Sequence, residues 1–151
     1  MIFQKQEGDE CQLAVIAMLS NKPLPELRQL VLTTFGKSWL EMAKNHNISE
    51  ASGKLCQILG LPRLTHHVVD NTLLMPDHSK TKYYGKKEEP DLSGRGQISI
   101  SAGLRPNGHA MAFENGKVFD GNADGPMPWR EWRKAMSKNY DYRNVEIVRI
   151  D

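Results

Sequence analysis

The chain has 151 residues, 39% hydrophobic and 25% charged, with twenty basic against eighteen acidic residues and a formal net charge of +2. That length favours one domain spanning residues 1–151, and the near balance of charge leaves no electrostatic footprint for nucleic acid. The longest unbroken apolar run, Leu13 to Leu19, falls far short of the about twenty residues a membrane span needs.

The N-terminal stretch MIFQKQEGDE has neither the basic flank nor the apolar run of a secretory signal. The expectation is a cytoplasmic chain in which Cys11 and Cys56 are thiols, not a disulfide. Residues 12–20, QLAVIAMLS, are apolar on every side and predict a helix buried all round, with Gly8 and Asp9 as its turn and cap. Asn21, Lys22 and Pro23 end it. Leu24, Leu27, Leu30 and Val31 then recur at helical spacing up to Gly36. A short helix follows in KSWLEMAKN, and another runs from Ser49, read as its N-cap, to the stop at Gly60.

The period changes in the second half. LTHHVVD reads as a strand, and the polar, turn-rich residues 76–96 read as a long exposed excursion. In GQISISA, Ile98 and Ile100 alternate with Ser99 and Ser101, the pattern of a half-buried strand. HAMAFE and KVFD flank Asn115-Gly116, the strongest short hairpin signal there is. A short helix, PWREWRKAM, and a last strand, VEIVRI, close the chain. Helices first and antiparallel strands later predict an α+β fold.

Cys11 falls at the start of the most buried helix. Free backbone N–H groups and the positive helix end there favour a thiolate. His109 opens the hairpin strand. With Asn115 and Gly116 as the turn, extrapolated pairing sets His109 opposite Asn122 and diagonal to Asp120, so either could orient the imidazole. Gln6, or alternatively Gln4, lies on the loop before Cys11, where a side-chain amide could donate to an oxyanion.

The string Q-x-x-x-x-C before LAVIAML, with GQISIS and HAMAFENGKVFDGN later, resembles papain-like cysteine peptidases, most of all the bacteriocin-processing (double-glycine) peptidase type. The resemblance covers residues 4–20 and 94–123. It implies a papain-like fold, with the cysteine opening a central helix packed on a C-terminal antiparallel sheet. It also implies Cys11 as nucleophile, His109 as general base and acid, Asp120 as orienter and Gln6 as oxyanion donor. Three positions depart from the family's pattern. Glu10 and Gln12 stand where aspartate and glycine commonly flank the cysteine, and Gly121 stands where proline commonly follows the aspartate.

The expected activity is cysteine-dependent acyl transfer on a peptide or protein substrate, with no cofactor and no metal. Glutamine deamidase or transglutaminase chemistry would use the same thiolate, and a catalytically silent binding domain would use none of it. Cys56, His66 and His67 lack zinc-ligand spacing. Lys80, Lys82, Lys86 and Lys87 precede Glu88, Glu89 and Asp91, which suits a solvated loop better than a phosphate site. Trp129 and Trp132 share one helical face and read as packing residues.

Overall fold

The computed structural model describes residues 1–45, 48–65, 67–69, 72–74, 81–101, 108–140 and 142–150. Among them the architecture is α+β. Helices α1 (Cys11–Ser20), α2 (Leu24–Phe35), α3 (Trp39–Lys44) and α4 (Ile48–Ile58) come first. Strands β1 (His67–Val69) and β2 (Thr72–Leu74) form a small antiparallel pair. Strands β3 (Thr81–Gly85), β4 (Arg95–Ser101), β5 (His109–Glu114), β6 (Lys117–Phe119), β7 (Met127–Pro128) and β8 (Asn144–Arg149) build a six-stranded antiparallel sheet in the order β3-β8-β4-β5-β6-β7. Helix α5 (Trp129–Ala135) leaves β7 directly.

The all-apolar sequence of α1 is explained by its position, for every residue from Gln12 to Leu19 is buried. It packs chiefly on β5, whose alternation is one of size. Ala110 and Ala112 face the helices, and their small side chains admit the α1 backbone close to the sheet. Met111 and Phe113 point the other way, into a second core with Ile98, Ile100, Val145, Ile147, Trp129 and Trp132. A sheet covered on both faces by apolar side chains loses hydrophobic surface to water twice over, which is the main source of its stability.

The hairpin forms where the sequence puts it. Asn115 and Gly116 take φ of 49° and 86°, and Glu114 pairs with Lys117. The ladder ends at Ala112↔Phe119, so the extrapolated pairings of His109 with Asn122 and Met111 with Asp120 do not form. Asp120 instead begins a turn, closed by the Ala123 N–H donating to its carbonyl (2.9 Å).

Three further expectations need correction. Residues 81–85 are not part of an excursion but edge strand β3, paired with β8 from Thr81↔Val148 to Gly85↔Asn144. Its side chains are half-buried or exposed, so backbone pairing holds it and the sequence shows no apolar alternation. Ser49 lies inside α4, which starts at Ile48, and is not its N-cap. The cap position of α1 belongs to Glu10, not Asp9, and the Glu10 side chain makes no capping hydrogen bond. The expected strand over LTHHVVD survives as β1, while His66 and Lys80 lie outside the described residues. No helix among the described residues is long and apolar enough to cross a membrane.

Candidate active site

Because α1 lies along β5, the first residue of each meets the other at one end of the sheet. Cys11 and His109 face each other there, and each stabilises the charged form of the other. Both line a cavity of about 630 Å³, together with Gln12, Ser99, Tyr83 and Glu146 among others. Burial disfavours the Cys11 thiolate, but the His109 hydrogen bond and charge outweigh it. Backbone N–H groups of Ala110 and Gln12 add to them, and the thiol is held below its ordinary value. The Gln12 N–H is one of the free donors of the α1 start, so the helix end acts on the sulfur directly.

His109 Nε2–H donates to Asp120 Oδ1 at 2.8 Å, which leaves Nδ1 for the sulfur. Burial works against the imidazolium, yet hydrogen bonds to Asp120 and Cys11 push its value up to about 9. Each group thus favours the charged form of the other, thiolate on Cys11 and imidazolium on His109. Asp120 is 1% exposed and its carboxylate is fully used. Oδ1 also accepts the Asn122 backbone N–H at 2.9 Å, while Oδ2 accepts Trp132 Nε1–H at 2.9 Å and the Tyr140 hydroxyl at 3.1 Å. Against the cost of burial, the hydrogen bond from His109, then its charge, then the Trp132 and Asn122 donors keep Asp120 ionised.

The choice left open between Asp120 and Asn122 resolves on this geometry. The side chain of Asn122 is exposed and donates to the Tyr140 hydroxyl at 3.2 Å, away from the imidazole. The structure likewise separates the two glutamines. Gln4 Oε1 accepts the Leu24 N–H at the start of α2 (3.2 Å). Gln6 is buried: its backbone N–H donates to the Gly121 carbonyl (3.0 Å), and its Nε2 donates to the Gly8 carbonyl (2.9 Å).

Each of the three departures from the family's pattern has a local reason. Glu10 is buried and takes a bidentate bond from Arg28 of α2, both contacts at 2.8 Å, plus the Glu7 N–H at 3.0 Å. It ties the loop before Cys11 to the second helix. Gln12 Nε2 donates to Gln97 Oε1 at 2.6 Å, a buried polar contact between α1 and β4. Gly121 touches Gln6, and a Cβ there would lie 2.7 Å from Gln6 Oε1.

Trp132 and Tyr140 are the site residues that sequence reasoning missed. Trp132 was legible only as half of a packing face, and it does stack on Trp129, with ring centroids 5.0 Å apart. Tyr140 carries no local signal at all. Cys56 is the contrasting thiol: it is buried in α4, and burial pushes it up to about 11. Among the described residues no three His, Cys, Asp or Glu side chains are grouped to hold a metal ion. Comparison with family models, curated proteins and solved structures found no match for the chain.

Proposed function

We propose that the chain is a papain-like, cysteine-dependent amide hydrolase, acting as a peptidase on a peptide or protein substrate. The observation that carries this reading is the chain of contacts Asp120–His109–Cys11 at the wall of an open cavity. A helix-start thiolate beside an imidazolium that a buried carboxylate orients is the arrangement nucleophilic catalysis needs.

The reaction follows from the protonation states. The Cys11 thiolate adds to the scissile carbonyl carbon, forming a C–S bond and moving the carbonyl electron pair onto oxygen. Gln6 is the oxyanion donor in this reading, because its Nε2 has a second N–H beyond the one on Gly8. Collapse of the intermediate breaks the C–N bond, and the departing amine takes the proton of the His109 imidazolium. Neutral His109 next removes a proton from water, whose oxygen attacks the thioester. The carboxylic acid leaves and the thiolate–imidazolium pair returns. The thiol, imidazole and amide supply each proton and charge the cycle requires, so it needs no cofactor.

A mixed peptide library incubated with wild type and with Cys11→Ala, then read by mass spectrometry, tests the proposal. New peptide termini that depend on Cys11 support it. A mass gain of about one unit on glutamine without cleavage would replace hydrolysis of the backbone by deamidation on the same thioester route. No Cys11-dependent change in any peptide, with Cys11 alkylated at the rate of an ordinary thiol, would overturn it.

A further inference from the structure

We infer that Tyr140 is a positioning residue of this site, its ring acting as a plate that holds the His109 imidazolium against the Cys11 sulfur. The inference rests on the reading of Cys11 and His109 as the reactive pair. The two rings are stacked, with centroids 4.4 Å apart and planes 13° from parallel. An imidazolium over a phenol face is attracted by the ring's negative face as well as packed by it. The plate does not stand alone. Tyr140 stacks on Trp132 at 6.0 Å and 14°, and Trp132 stacks on Trp129. A ladder of aromatic rings thus runs from the second core to the face of the histidine.

Tyr140 meets the pair a second way. Its hydroxyl donates to Asp120 Oδ2 and accepts from Asn122 Nδ2, which anchors the far end of the ring beside the carboxylate that bonds His109. Nε2–H···Oδ1 alone lets the imidazole pivot about one contact, and Nδ1 would then swing off the sulfur. The stacked face removes that freedom. Among the described residues, the charged and titratable groups around His109 and Tyr140 are Cys11 from α1, Asp120 from the turn after β6, and Asp9, Tyr83 and Glu146 along the same cavity. Of these, Asp120 is hydrogen-bonded to the imidazole and Cys11 acts on it through charge.

Positioning and packing separate in the rate at which iodoacetamide labels Cys11 as a function of pH, which reads the thiolate without any substrate. Tyr140→Leu removes the plate, so its thiolate should form at higher pH, and labelling at about pH 6 should fall about tenfold, the effect of one pKa unit. Tyr140→Phe keeps the plate and loses only the hydroxyl, so it should restore labelling to within about threefold of wild type. Tyr140 is half-buried, and Tyr140→Gln gives a second plate-less variant should the leucine variant fail to fold. A folded leucine or glutamine variant with the wild-type pH profile would overturn the inference, as would a phenylalanine variant as impaired as leucine. A wild-type profile like that of a free thiol would instead defeat the reactive-pair reading itself.

Discussion

Asp120→Asn keeps the shape of the orienting side chain and removes its charge. In the native site four donors converge on the two carboxylate oxygens, from His109, the Asn122 backbone, Trp132 and Tyr140. An amide keeps one acceptor oxygen. With that oxygen toward His109, the amide nitrogen faces the Trp132 N–H and the Tyr140 hydroxyl. The hydroxyl can turn and accept, whereas the indole cannot. Loss of the charge-assisted bonds, with one buried donor left unsatisfied, costs about 3–5 kcal/mol of stability.

The same substitution acts on the imidazole. Burial opposes the His109 charge, and Asp120 and Cys11 together lift it to about 9. Without the carboxylate the burial penalty remains, so His109 should titrate at least about 2 units lower and lose its proton near neutral pH. The thiolate then loses its partner and forms at higher pH. Urea unfolding reads the stability, and the pH profile of Cys11 alkylation in the folded variant reads the pair. Asn122→Ala, which removes an exposed side chain bonded to Tyr140, should leave that profile nearly in place. An unchanged profile in Asp120→Asn, or a larger shift in Asn122→Ala, would refute the assignment of Asp120.

Four other substitutions probe the parts around the triad. Arg28→Met and Glu10→Gln, combined in a double-mutant cycle with urea unfolding, should give a coupling of about 1–2 kcal/mol, discounted because Arg28 is a third exposed. Arg28 holds the Glu10 carboxyl below its ordinary 4.5 against the cost of burial. That stability should be fully present above 4.5 and be lost as pH falls through the lower folded value. Gly121→Ala places a Cβ 2.7 Å from Gln6 Oε1, so turnover should fall about 10- to 100-fold while Cys11 alkylation keeps its wild-type pH profile. Cys56→Ala should cost about 1 kcal/mol in thermal or urea unfolding and leave turnover unchanged, since its thiol is buried and protonated at neutral pH.

What the sequence revealed and what it hid divide along physical lines. The run LAVIAML has no polar face, which only a fully enclosed helix tolerates, and α1 is enclosed. Asn115-Gly116 tolerates two positive φ values, so its turn was legible to the residue. Strand β3 was hidden because Thr81–Gly85 is held by its backbone pairing with β8, not by an apolar face. Cys11 and His109 could be singled out as candidates from local chemistry, because each opens an element with a strong signal of its own, while the hairpin pattern left Asp120 and Asn122 both open. The extrapolated register failed at Asp120, where β6 turns away after Phe119 and makes the contact with His109 more direct than a diagonal pair would. Trp132 and Tyr140 act on Asp120 across 12 and 20 residues of chain through a helix and a turn, and no local pattern encodes that approach.

The central claim is that His109 stays protonated through neutral pH because it is paired with the Cys11 thiolate and bonded to Asp120. Nuclear magnetic resonance titration of the His109 ring, in wild type and in Cys11→Ser, measures this directly. The account predicts an imidazolium that persists through neutral pH and titrates at about 9 in wild type, and at a lower pH in Cys11→Ser, where the thiolate charge is gone. A His109 ring that is neutral at pH 7 in wild type, titrating at or below its ordinary 6.5 and unmoved by Cys11→Ser, would contradict it.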